Sequence, residues 1–272
     1  MRSPERDQGP WPGDSGSPGQ ATPEPGPSPG APPSQPPAQP PARPQHRWGL
    51  GAYALAAAVF LSVSALLGLL VFRRGPPSVA GLAVGLAVPT VLAAATAILS
   101  TVVRGNGPRR DLGLRFSWRD VGLGLAFGFG GLVLTIPASL IYARILGPER
   151  ATSAVGEVFA GLRAGAAGAA VVFVIVVLLA PLCEEIVYRG LLWGALEKHG
   201  ADRWLAFALT TVLFALAHFE FTRTPLLAVI AIPIGLARVV TGRLTASIIA
   251  HQINNLLPGI ALLLTLLGVS PI

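Results

Sequence analysis

The segment Pro181-Leu-Cys-Glu-Glu-Ile-Val-Tyr-Arg-Gly190 sets Glu184, Glu185 and Arg189 at the end of a long apolar run. Ionisable groups at membrane depth are expensive, so three together ask for a functional explanation. Two further polar pairs stand in equally apolar surroundings downstream, Phe214 with His218 and His251 with Asn255. Members of each pair are four residues apart and therefore share a helix face. Glu185 and Arg189 have the same spacing and can pair, which lowers the cost of burying both charges. Glu184 projects about 100° away around the helix and lacks that partner, so it is the carboxylate left free to accept a proton from water. A carboxylate, two imidazoles and a carboxamide are together the parts for water activation and oxyanion stabilisation. Cys183 reads as a small packing residue, since neighbouring carboxylates disfavour a thiolate nucleophile. His46 and His199 read as ordinary solvated residues.

These side chains need rigid elements to position them in lipid. With 52% hydrophobic and 12% charged residues, the chain of 272 is too apolar for an ordinary soluble domain. Residues 48–72 carry no charge, and at about 1.5 Å per residue they span a hydrocarbon core of about 30 Å. Similar runs cover 78–103, 121–143 and 164–196, the last passing through the acidic pair. Shorter runs cover 204–219 and 224–237, the second able to extend past Arg238, and a final run from Leu244 has a break expected at Pro258. The expected fold is all-α, a polytopic membrane helix bundle of about seven or eight transmembrane helices. Residues 1–45 hold 15 of the 26 prolines and almost no large apolar residue, and read as a disordered Pro/Gly-rich tail rather than a cleaved signal peptide. Residues 46–150 are then expected to form N-terminal transmembrane helices and 165–265 a transmembrane core that carries the polar set.

The net charge of +7 does not point to nucleic acid, because the arginines sit in short connectors instead of on one polar face with stacking aromatics. The bilayer is the partner they imply. With seven spans, the tail and alternate connectors hold 13 basic residues and the opposite side 6, which puts the N-terminus in the cytoplasm of a multi-pass cell-membrane protein. Gly122, Gly124, Gly128, Gly130 and Gly131 lie inside an apolar span, where they allow close helix approach and do not form a phosphate loop.

The ordered set E-E-x-x-x-R, F-x-x-x-H and H-x-x-x-N resembles the CPBP intramembrane protease family, which includes the type II CAAX prenyl endopeptidases and Abi proteins. The resemblance covers roughly residues 165–265. It implies an intramembrane endopeptidase in which Glu184 and His218 activate the hydrolytic water and His251 and Asn255 stabilise the oxyanion. Glu185, Arg189 and Phe214 are supporting residues. It also implies a peptide or protein substrate, prenylated or otherwise membrane-associated. Members are commonly labelled metalloproteases, and Glu184, His218 and His251 are the residues that would ligate Zn2+ in a three-ligand catalytic site. A metal-free glutamate mechanism uses the same side chains and is preferred, because the chain has no H-E-x-x-H motif. Two other classes compete: a proton-coupled transporter, which would use buried Glu and His as a relay, and a non-catalytic scaffold or immunity protein acting through the Pro-rich tail.

Overall fold

A helix satisfies its own backbone hydrogen bonds, which a chain of this composition requires in a medium without water. The computed structural model describes residues 46–73, 75, 77–147 and 152–269. All of them belong to the unit Arg43–Ile272, one of two into which the chain divides. The tail 1–45 lies outside the described residues. The helices are α1 (Leu50–Phe72), α2 (Val79–Arg104), α3 (Pro108–Asp111), α4 (Trp118–Leu146), α5 (Ala154–Phe159) and α6 (Ala166–Lys198). They continue with α7 (Arg203–Leu216), α8 (Thr224–Thr241), α9 (Leu244–Asn254) and α10 (Leu256–Leu267). The described residues contain no strand.

Five helices, α1, α2, α4, α6 and α8, are long and apolar enough to cross a membrane, and the bent pair α9 and α10 makes a sixth span if taken as one. The 14-residue α7 is shorter and apolar. The break expected at Pro258 falls instead at Asn255, where α9 and α10 meet at 42°. Pro258 sits in the first turn of α10, where its missing N–H would have had no helical partner. Helix α8 runs past Arg238 to Thr241, and the Arg238 side chain donates from Nη1 to Gly242 O at 2.6 Å. Gly242, at φ +65°, ends the helix in the left-handed conformation.

Helix α4 packs on α9 and α8, α1 on α2, α7 on α8, and the middle of α6 lies against both α2 and α9. A Cβ at Gly124 would fall 2.7 Å from Ile249, one at Gly128 2.7 Å from Ile253, and one at Gly131 2.9 Å from Pro233. Those three glycines set the approach of α4 to α9 and α8, whereas a Cβ at Gly122 or Gly130 would meet nothing within 4 Å among the described residues. Large apolar side chains such as Leu66, Val133 and Ile145 face outward, as lipid contact requires.

The connectors rich in arginine gather at one end. Arg47 N donates to Arg104 O at 2.8 Å, and Arg243 pairs with Asp120 at 3.1 Å. Lys198 Nζ donates to Trp48 O at 2.8 Å, and Trp48 Nε1 donates to Asp111 at 2.9 Å. His46, expected to be solvated, is buried there with its ring stacked on Trp48 at 3.7 Å. Burial holds its pKa below the ordinary imidazole value.

Gly128→Val should splay α4 from α9 and lower stability by about 1–3 kcal/mol, the usual cost of overpacking. Gly130→Ala should leave the thermal transition in detergent almost unmoved. Equal shifts for both variants would show that glycine contacts do not set this interface.

Candidate active site

Helix α6 is not uniform. Two π-helical stretches, Ile175–Leu179 and Ile186–Leu192, flank the α-helical turn Ala180–Glu185 that carries the acidic pair. Such stretches are rare and concentrate at functional sites, where they re-aim side chains. Arg189, on the second stretch, donates from Nη1 to Glu185 Oε1 at 3.0 Å, and both side chains are fully buried. Among the described residues Arg189 Nε and Nη2 have no hydrogen-bond partner. The Phe214 ring covers the guanidinium instead, 4.4 Å from centroid to Cζ, a cation–π contact that replaces part of the lost hydration.

His251 projects from α9 into this pair. Its Nδ1 lies 3.0 Å from Glu185 Oε1, and because a carboxylate accepts, Nδ1 carries the proton. Its Nε2 lies 3.7 Å from Glu184 Oε2, too far for a direct hydrogen bond. Glu184 is 26% exposed while His251 is 4% and Glu185 0%. Glu184 is therefore the carboxylate of the cluster that is open to a small molecule.

His218 follows the last turn of α7, where Phe219 at φ +56° reverses the chain. Its Nδ1–H donates to Phe214 O at 2.8 Å, which caps the helix end and leaves Nε2 outside that bond. The Phe214 ring meets His218 at 4.7 Å and His251 at 5.5 Å between centroids, both edge-on. Tyr188 packs on the same ring at 5.4 Å.

Asn255 stands at the bend after α9, one turn beyond His251. Its Nδ2 donates to Val176 O in the first π stretch at 3.1 Å. Gln252 Nε2 donates to Leu178 O in the same stretch at 3.3 Å.

The structure thus brings Glu184, Glu185, Arg189, His251 and Phe214 into one contact set, with His218 joined through the Phe214 ring. Glu184 and His218, expected to work together on water, form no ion pair, and the imidazole facing Glu184 is His251. Sequence spacing missed two things. Glu185 holds His251 as well as Arg189, and Gln252 ties α9 to α6; both need contacts between segments distant in the chain. Among the described residues no group of three or more His, Cys, Asp and Glu side chains is gathered closely enough to hold a metal ion. The set Glu184, His218 and His251 does not fit a three-ligand zinc centre in this geometry.

Residues 166–257 match the family model described as type II CAAX prenyl endopeptidase Rce1-like. The match begins at the first residue of α6 and ends just past the bend at Asn255, so it encloses the whole contact set. No curated protein and no solved structure matches the chain.

Removing the cation should expose the cost of the buried pair. Arg189→Met is expected to destabilise the protein by about 3–5 kcal/mol, the penalty of an unpaired buried charge. Adding Glu185→Gln to it should recover part of that loss in denaturant or thermal unfolding. No recovery in the double variant would mean that Glu185 is compensated by something other than Arg189.

Proposed function

We propose that this protein is an intramembrane endopeptidase that hydrolyses a peptide bond with water activated at Glu184. One observation carries the proposal: the partly open Glu184 faces an imidazole whose other nitrogen is bound to the buried Glu185 and Arg189 pair. That arrangement lies inside the stretch that matches a family of endopeptidases.

In this scheme Glu184, assisted by His218, takes a proton from water as its oxygen attacks the peptide carbonyl carbon. The carbonyl π electrons move to oxygen and give a tetrahedral oxyanion, which His251 and Asn255 stabilise as donors. Donation from Nε2 while Nδ1–H stays on Glu185 requires the imidazolium form of His251 in the scheme, and the Glu185 carboxylate is the anion that would balance its charge. Asn255 has two amide N–H bonds; one is on Val176 O, and the scheme gives the other to the oxyanion. Collapse of the intermediate breaks the C–N bond, and Glu184 returns its proton to the departing amine.

The substrate class in this proposal is a membrane-associated protein or peptide, with a prenylated CAAX-type C-terminal segment as the form that the family description suggests. The protein is multi-pass, and we assign the N-terminus to the cytoplasmic side of the cell membrane on the 13-to-6 distribution of basic residues. The preferred chemistry is direct glutamate-dependent hydrolysis.

Glu184→Gln should abolish proteolysis, a drop of at least about 100-fold for loss of the base, while the purified protein keeps its native melting transition. Comparing membrane protein termini in cells expressing native protein or Glu184→Gln should reveal cleavages that need this carboxylate. Retained cleavage by the folded variant would refute the assignment. Metal analysis addresses the other branch. Active purified protein should contain no stoichiometric zinc and should survive chelation, whereas zinc whose removal stops turnover would replace the direct mechanism.

A further inference from the structure

A proline occupies the catalytic helix three residues before Glu184, and its effect on the backbone bears on Asn255. Ala180 N–H donates to Ile175 O, the five-residue register of the first π stretch. In that register the donor to Val176 O would be residue 181, but Pro181 has no N–H. The acceptor that Pro181 leaves open is the one that Asn255 Nδ2 reaches from α9 at 3.1 Å. A carbonyl can bind only the nitrogen end of a carboxamide, so this contact decides which way the Asn255 amide is turned. Gln252, one turn earlier on α9, holds Leu178 O in the same stretch and adds a second tie.

We propose that Pro181 is a positioning residue: by withholding a backbone N–H from Val176 O it reserves that carbonyl for Asn255, and so aims the second amide N–H at the reacting oxygen. The inference rests on the hydrolase function proposed above. It makes the π stretch and the proline one device. A regular helix through this point would fill its own carbonyls, and the Asn255 amide would have no fixed orientation.

Restoring the missing donor tests it. In purified full-length Pro181→Ala, the new amide N–H competes with Asn255 for Val176 O. With a quenched fluorescent prenylated peptide as substrate, kcat should fall about 10- to 100-fold, less than the roughly 100- to 1,000-fold loss typical when an oxyanion donor is removed outright. KM should stay within about twofold. The melting temperature should hold or rise, because alanine is a far better helix-interior residue than proline. The double variant Pro181→Ala/Asn255→Ala should be no slower than Asn255→Ala alone, since both act through one amide. Selective 15N-asparagine labelling reads the contact without turnover: the Asn255 side-chain amide protons should be protected from exchange in the native protein and lose protection in Pro181→Ala. Native kcat in Pro181→Ala, multiplicative losses in the double variant, or unchanged amide protection would each overturn the inference. An active Glu184→Gln would instead bring down the hydrolase function itself, whereas a dead Glu184→Gln beside a fully active Pro181→Ala would sink only the role of the proline.

Discussion

Arg189 is completely buried, and the arrangement around it follows from what a guanidinium needs when it has no water. A buried cation requires a buried anion at hydrogen-bond distance, which Glu185 provides one helical turn away. One oxygen of that carboxylate also receives His251, so the imidazole is drawn from α9 onto α6. The uncovered face of the guanidinium requires an electron-rich surface, and α7 supplies the Phe214 ring. Three helices are therefore tied together by one charge. Glu184 stands beside this knot without being consumed by it, which is why two adjacent glutamates differ so much in exposure.

Local patterns in the chain reveal much of this. A four-residue spacing foresees the contact of Glu185 with Arg189, and apolar runs of twenty or more residues foresee α1, α2, α4 and α6. Glycine spacing foresees close packing of α4, although sequence cannot separate Gly124, Gly128 and Gly131, which touch neighbours, from Gly122 and Gly130, which do not. The contacts it misses are those between distant segments. Nothing near His251 announces that its Nδ1 binds an acid 66 residues away. Hydropathy likewise cannot see a π turn, because an extra residue per turn changes hydrogen bonding and leaves composition alone. His46 was hidden for a related reason: its partner Trp48 is near in sequence, but the Lys198 and Asp111 that close over that end are not.

Helix α9 has a larger share in the molecule than its eleven residues suggest. Ile249 and Ile253 fill the glycine gaps of α4, and Asn254 accepts from Thr135 on that helix. Gln252 and Asn255 bind α6 on the other side. Gln252, Asn254 and Asn255 thus each meet a different backbone or hydroxyl partner, which restrains rotation of the helix about its axis. A His carried on such an element keeps its aim without relying on its own rotamer alone.

The brevity of α7 has a physical outcome for the surrounding lipid. Fourteen residues rise about 21 Å, roughly 9 Å less than the hydrocarbon thickness. Beyond the helix lie the cap of His218, the reversed turn at Phe219 and the ion pair of Glu220 with Arg223. Acyl chains cannot solvate that turn, so the bilayer must thin beside α7 or admit water to it. The short helix is also the one whose Phe214 ring covers Arg189, so the thinnest part of the bundle stands beside the cluster that holds the partly open Glu184.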